Sequence, residues 1–103
     1  MSEESTYAQD LVELDVMRGE LDVMARRVAT QLERKRLTAR TVTIKARYPD
    51  FTTVTRSHTA EPATRDAAEI AARAIALLDK TEAARRSVRL LGVGAHGLVE
   101  DSG

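Results

Sequence analysis

Hydroxyl and cationic side chains recur at every second residue in two neighbouring stretches of this chain. Before the sequence Tyr48-Pro49-Asp50, Thr43 and Lys45 alternate with apolar residues, and after it Thr55 and Ser57 hold alternate positions. Side chains two residues apart in a β-strand lie on the same face of the sheet. Hydroxyl groups donate hydrogen bonds to phosphate oxygens, and a nearby cation pairs with their charge. Phosphate binding is therefore the first chemistry that the spacing indicates, and an ordinary solvent-facing row is the alternative.

The two stretches are predicted to pair as a β-hairpin. Val42, Ile44 and Ala46 fall on one face of the first strand, which is the period of a half-buried strand. The turn is placed at Pro49-Asp50, where proline presets φ and aspartate can bond the backbone ahead. One face of the hairpin should belong to the core, and the other should face water or a partner.

Two amphipathic helices are predicted on either side of the hairpin. Apolar residues recur at steps of three and four from an N-cap at Asp15 to about residue 36, and from an N-cap at Thr64 to between residues 82 and 85. The basic cluster Arg34-Lys35-Arg36 is interpreted as a solvated helix end. Each helix needs an apolar surface on which to pack.

Two further strands complete the predicted sheet. They are placed at about residues 3–10 and 88–93, with Gly92 as a candidate bulge. The order β-α-β-β-α-β predicts an α+β fold, in which a four-stranded, mostly antiparallel sheet carries both helices on one face in a ferredoxin-like arrangement. The other face of the sheet should be open.

Length and composition predict one globular domain over residues 1–103, with a core at about residues 3–98 and a frayed tail at 99–103. The chain is 43% hydrophobic and 31% charged. Tyr7 and Phe51 are interpreted as core residues rather than base-stacking surfaces.

The chain has no cysteine, which excludes disulfides and thiolate metal sites. No apolar run approaches the roughly 18 residues of a membrane span, so we expect a soluble protein.

Nothing in the sequence predicts an enzyme. The carboxylates fall mostly on helix surfaces or in turns, and we identify no nucleophile with a positioned base, no glycine-rich phosphate loop and no metal cluster. We therefore expect no catalytic residue, no metal site and no cofactor in this chain. The formal net charge is zero, which argues against binding to nucleic acid by bulk charge alone.

Three separated segments resemble the little-finger domain of Y-family translesion DNA polymerases, in the DNA polymerase IV branch. The run from Arg40 to Phe51, followed by Val54-Thr55-Arg56-Ser57-His58-Thr59, is similar to the central hairpin of that domain. The segment Glu4-Ser5-Thr6-Tyr7 is similar to its start, and Ser87 to Val93 is similar to its final strand. The resemblance covers about residues 2–98.

The resemblance implies that the open face holds the template–primer duplex through backbone phosphates, without reading its sequence. Together with the alternation of the strands, it predicts DNA contacts from Thr6, Arg40, Thr43, Lys45, Thr55, Arg56, Ser57 and Arg89. The prediction that Thr43 and Lys45 contact DNA depends on the alternation alone. Leu90 follows Arg89 at a position that is often basic in the family.

Arg56 has a second interpretation. Strict alternation from Val54 places its side chain on the helix side of the sheet, where it would pair with a helix instead of DNA. The resemblance favours DNA.

The resemblance also implies what lies beyond this chain. The parent would be a bacterial DNA-directed DNA polymerase for damage bypass in DNA repair and replication, cytoplasmic and associated with the nucleoid. Its Mg²⁺ ions would belong to a palm domain that this chain does not include. We expect a monomer that docks on the palm, fingers and thumb.

The alternative function that the resemblance implies is a protein-interaction module that contacts the sliding clamp. The chain ends in Leu98-Val99-Glu100-Asp101-Ser102-Gly103, without the glutamine-plus-aliphatic or aromatic pattern of a clamp-binding peptide. A free-standing domain that binds a small ligand has no supporting residue cluster.

Overall fold

The structure, a computed structural model, describes residues 1–100 of the chain. Its elements are β1 (Ser2–Leu11), α1 (Leu14–Arg34), β2 (Leu37–Arg47), β3 (Thr53–Thr64), α2 (Ala67–Leu78) and β4 (Val88–Glu100). The four strands form one antiparallel sheet in the order β1-β4-β2-β3. The predicted α+β fold with two helices and a four-stranded sheet is confirmed. Neither helix in the described range combines the length and apolar character that crossing a membrane requires.

The two central strands bury one face beneath the helices. In β2, Val42, Ile44 and Ala46 are buried, and the register places them opposite Ala95, Val93 and Leu91 of β4, which are buried as well. Both helices pack against each other and against this side of the sheet. The opposite surface, which we call the open face, carries the alternate residues of β2, namely Thr41, Thr43, Lys45 and Arg47.

Helix α1 turns an apolar stripe toward the sheet, as its spacing predicts. The buried residues of this stripe are Met17, Leu21, Met24, Ala25, Val28, Ala29 and Leu32. The predicted N-cap at Asp15 is wrong, since the N-cap is Glu13 and Asp15 lies in the first turn, 2.8 Å from Arg18. Leu14 already packs against the core, and the helix begins there.

Helix α2 is capped later and ends earlier than the sequence indicated. The carboxylate of Asp66 accepts the backbone N–H of Glu69 at 3.0 Å, so Asp66 is the N-cap, while Thr64 ends β3 and accepts the N–H of Asp66 through its hydroxyl. At the other end, Thr81 donates both its N–H and its hydroxyl to the carbonyl of Leu78. These short-range bonds close a turn where the prediction had continued the helix.

Gly92 is not the predicted bulge. It pairs with Glu4 of β1 on one side and with Lys45 of β2 on the other, within continuous registers. A methyl group at Gly92 would lie 3.2 Å from the carbonyl oxygen of Glu3, which is closer than an ordinary van der Waals contact. The glycine therefore allows close approach of β1 rather than marking an extra residue.

Strand β4 also continues beyond its predicted end. Val99 pairs with Thr38, and Glu100 pairs with Leu37 at the start of β2. These two residues were predicted to fray, and backbone pairing along β2 places them in the strand instead. The rest of the predicted frayed tail, residues 101–103, lies outside the described residues.

The hairpin turn is fastened to the loop between α2 and β4. Tyr48 is buried, and its hydroxyl accepts the backbone N–H of Glu82 at 2.9 Å. The guanidinium of Arg86 stacks 4.1 Å from the centre of the Tyr48 ring and lies 2.8 Å from the carboxylate of Asp50. One tyrosine and one arginine thereby hold the turn in place from both sides.

Phe51 was predicted to be a core residue, and this prediction is wrong. The residue has a φ of 69° at the tip of the turn, and its side chain is 68% exposed. This left-handed conformation is uncommon for a bulky residue and directs the ring away from the core. The guanidinium of Arg89 lies 5.0 Å from the ring centre. Tyr7, the other aromatic residue expected in the core, is half-buried and packs against it.

Replacing Tyr48 by Phe is expected to lower the free energy of unfolding by about 1 kcal/mol, because the part-buried N–H of Glu82 loses its acceptor. The matched change Tyr7→Phe should be neutral or slightly stabilising. Within the described residues the buried Tyr7 hydroxyl has no hydrogen-bond partner, and burial, together with the Glu20 carboxylate, raises the pKa of this hydroxyl. Urea denaturation measures the free energy of unfolding of both variants. Equal losses for Tyr48→Phe and Tyr7→Phe would contradict the stabilising role of the hydrogen bond to Tyr48.

A second prediction concerns acid stability. The backbone N–H and the side chain of Thr52, and after them the guanidinium of Arg86, hold the pKa of Asp50 below its usual range. Because the folded-state pKa is lowered, the carboxylate stabilises the fold above about pH 4, and this contribution is lost as the pH falls through the lowered pKa. Asp50→Asn should therefore be less stable than the wild type near neutral pH, with the difference shrinking in acid. A difference in unfolding free energy that stays constant as the pH falls would refute this role.

Candidate nucleic-acid interface

The open face carries cross-strand pairs of hydroxyl groups, which we call the hydroxyl ladder. Thr41 Oγ1 lies 2.8 Å from Thr59 Oγ1, and Thr43 Oγ1 lies 2.7 Å from Ser57 Oγ. In each pair one hydroxyl donates to the other, whose own proton stays free to donate outward. Each rung of the ladder therefore offers one O–H donor to a ligand above the sheet.

Two cations continue the open face toward the hairpin turn. The register pairs Lys45 with Thr55 and Arg47 with Thr53. Arg47 Nε donates to Thr53 Oγ1 at 2.9 Å, and Lys45 Nζ lies 3.1 Å from the carboxylate of Glu4. Hydroxyl donors and positive charge thus stand in one line along β2 and β3, as the alternation predicts.

Strand β4 crosses the open face with small residues at the outward positions. Gly92 and Gly94 leave a shallow depression of about 210 Å³ between β1 and β2. The imidazole of His96 lies over Gly94, where a methyl group would come within 2.9 Å of its Nε2. The residues with polar side chains that line the depression are Ser2, Glu3, Glu4, Thr43, Lys45, Thr55 and His96. The depression therefore gives a ligand a recess between β1 and β2, bordered by polar side chains.

Thr6 stands at the far margin of the open face. It is exposed on β1 and pairs with Leu90 of β4, which in turn pairs with Arg47 of β2. Leu90 is only 5% exposed, so this part of the surface between the two polar residues is apolar. Thr6 lies on the same face as the hydroxyl ladder but is separated from it by a strand.

Arg56 does not share the open face with Thr55 and Ser57. The register pairs it with Ile44, a core residue, and so directs its side chain to the helix side of the strand. Arg56 Nε donates to the carbonyl oxygen of Lys80 at 3.0 Å, just beyond the end of α2. The alternation from Val54 indicates this placement, whereas the motif alone suggests a contact shared by all three residues.

The other two predicted arginines lie near opposite ends of β2. Arg40 is exposed and forms an ion pair with Glu61 of β3. Arg89 lies at the hairpin end, 4.0 Å from the carboxylate of Asp10 and stacked on Phe51. Both arginines therefore carry a carboxylate neighbour.

Sequence reasoning recognised the polar rows but did not place His96 on this face. Arg47 and Thr53 belong to these rows by alternation, and the structure joins them in a hydrogen-bonded pair. The position of His96 over Gly94 depends on the extension of β4 beyond its predicted end. The spacing of Gly92 and Gly94 is the signal for the depression, since alternate glycines empty one face of a strand.

No group of three or more acidic, histidine or cysteine side chains that could hold a metal ion occurs within residues 1–100. No chemical step through a metal ion is assigned to the described residues. The open face is suited to binding through hydrogen bonds and charge.

The chain belongs to the family of C-terminal domains described as the impB/mucB/samB family C-terminal domain, whose model matches residues 1–103. Among curated relatives, DNA polymerase IV of Alkalilimnicola ehrlichii is 46% identical over 96 residues, and DNA polymerase IV of Halorhodospira halophila is 44% identical over 95 residues. These alignments cover 93% and 92% of this chain but only 27% of each relative. The predicted resemblance to the polymerase IV branch is confirmed.

Solved structures show the same fold. The little finger domain of PolIV, in a complex with the beta-clamp processivity factor, matches with a TM-score of 0.71 and 21% identity over 96% of this chain and 85% of that chain. A post-insertion binary complex of Dbh DNA polymerase matches with a TM-score of 0.81 and 15% identity over 96% of this chain and 28% of that one. The fold is that of a Y-family polymerase little finger domain.

Proposed function

We propose that this chain is the duplex-binding domain of a translesion DNA polymerase and that its open face holds the template–primer through backbone phosphates. The observation that carries the proposal is the line of outward hydroxyl donors and cations along β2 and β3, set beside the glycine depression of β4. Phosphate oxygens accept hydrogen bonds and attract cations, so these groups are complementary to a nucleic-acid backbone.

The geometry favours binding without sequence preference. The donors stand on a regular sheet and are short or cationic, so they suit phosphates that recur along a strand rather than the varied edges of bases. Of the predicted contact residues, Thr6, Thr43, Lys45, Thr55 and Ser57 are on the open face. We assign the main contacts to them, with Arg40 and Arg89 as contacts at the margins.

The relatives of this chain also suggest a role for the whole protein, which we propose here. The polymerase IV relatives are about four times as long as the aligned segment, which covers 27% of each. We propose that the parent bypasses DNA damage in the bacterial cytoplasm, with its Mg²⁺ ions in a catalytic domain outside this chain. A grip on phosphates that ignores base identity would let such an enzyme pass a damaged base.

The test is a ¹⁵N-HSQC titration of the chain with a short primer–template duplex at low and moderate salt. Lys45→Ala should weaken binding several-fold, because it removes a central cation of the open face. Lys80→Ala makes the same charge change beyond the end of α2 on the helix side and is the matched control. Affinity should fall with salt, with a log–log slope of about −3 or shallower if roughly three phosphates are contacted.

The shift pattern distinguishes an interface from a general charge effect. Amide shifts should concentrate at Thr6, Thr41 to Arg47, Thr53 to Thr59 and the glycines of β4. Arg56→Ala should leave affinity nearly unchanged if its side chain stays on the helix side. The proposal fails if the open face shows no shifts at low salt, or if Lys45→Ala and Lys80→Ala weaken binding equally.

A second candidate function is contact with a bacterial sliding clamp. The observation that favours it is the structural likeness to a little finger domain solved together with the beta-clamp. This contact would use a surface other than the open face, since one face cannot hold duplex DNA and the clamp at the same time.

Adding a sliding clamp to the labelled chain should therefore shift amides outside the open face, and Lys45→Ala should leave clamp affinity unchanged. Isothermal titration of wild type and variant measures this affinity. Clamp-induced shifts confined to the open face would contradict separate surfaces, and no shifts anywhere would exclude a clamp contact by this domain.

A further inference from the structure

An ion pair on the open face spans the full width of strand β4. Lys45 Nζ lies 3.1 Å from Glu4 Oε1, although Lys45 is in β2, Glu4 is in β1, and β4 runs between them. The register places Gly92 directly between the two residues. A methyl group at Gly92 would lie 3.6 Å from Glu4 Cγ, so a larger side chain would stand in the path of the pair. Glycine at this position lets the carboxylate reach a lysine two strands away.

Glu4 is unusual on this surface. Among the described residues at the outward positions of Ser2–Thr6, Thr41–Arg47, Thr53–Thr59 and Leu90–His96, it carries the sole negative charge. It borders the glycine depression, and its partner is a central cation of the face. A phosphate that enters the depression therefore meets a carboxylate already bound to Lys45.

We propose that Glu4 competes with DNA phosphate for Lys45 and so limits the affinity of the open face. This inference rests on the proposed DNA-binding function. The ammonium of Lys45 donates to either oxygen anion, and a phosphate at this position must displace Glu4 or accept its repulsion. Side-chain exposure is 38% for Lys45 and 47% for Glu4, so the pair is weak enough to open and close freely.

The competition has a use in a domain that must release DNA as well as hold it. Each time a phosphate leaves Lys45, the carboxylate takes its place without waiting for a counterion. Glu4 thereby keeps the hold on any one phosphate short, which suits a surface that moves along a duplex.

The test compares duplex affinities by fluorescence anisotropy for two neighbouring glutamates. Glu4→Gln keeps the shape of the side chain and should tighten binding about two- to fivefold, the range that a released exposed ion pair can supply. Glu3→Gln makes the same change in net charge one residue away, but Glu3 pairs with Val93 in the register and faces the helix side, 4.0 Å from Arg27. Glu3→Gln should change affinity much less.

A second comparison assigns the effect to Lys45. In a Lys45→Ala background, Glu4→Gln should lose most of its gain, because the cation for which Glu4 competes is absent. Tightening that persists in this background, or equal effects of Glu3→Gln and Glu4→Gln, would overturn the inference and indicate a general field effect. HSQC spectra verify that every variant is folded.

The outcome for the wild type separates this inference from the proposed function. Duplex binding that depends on Lys45 but is unchanged by Glu4→Gln would refute the competition between Glu4 and phosphate. The proposed DNA-binding function of the open face would not be affected by this result. Absence of duplex binding in the wild type and in all variants would refute both.

Discussion

The one-sided burial of the two central strands is the constraint on which this molecule depends. β2 and β4 pair so that Val42, Ile44 and Val93 share the helix side, and both helices cover them. Because side chains alternate along a strand, burying one set exposes the other in fixed order. The hydroxyl ladder, the cations and the glycine depression thus occupy their places as a consequence of the core, and a register shift of one residue would invert them all.

The ends of the sheet are held by different means. At the hairpin end, the buried Tyr48 and the stacked Arg86 tie the turn to the loop after α2. At the other end, β4 runs alongside β2 to the last described residue, Glu100. Both arrangements restrain the strands that carry the polar rows, so the donors are presented on a supported surface rather than on free loops, which lowers the entropy lost on binding.

Element order, the apolar stripes of the helices and the inward face of β2 could be predicted, because the spacing of apolar residues and the secondary-structure propensities of residues are local properties of the sequence. The caps could not be predicted. Core packing of Leu14 starts α1 there, with Glu13 instead of Asp15 as its N-cap, and the carboxylate of Asp66 caps α2 in place of Thr64. The placement of Phe51 depends on a left-handed backbone that the sequence does not signal. The contact between Glu4 and Lys45 joins residues 41 positions apart and requires the strand order, which alternation within one strand cannot supply.

The direction of the hydrogen bond in each rung of the hydroxyl ladder is not fixed by the positions of the heavy atoms. In the pairs of Thr41 with Thr59 and of Thr43 with Ser57, either oxygen can be the donor. Each rung therefore has two proton arrangements of similar energy, one with the free O–H on β2 and one with it on β3. Rotation of two hydroxyl protons moves the outward donor from one strand to the next while every heavy atom stays in place. A rigid sheet can in this way accept anions at slightly different positions, with proton disorder taking the place of side-chain motion.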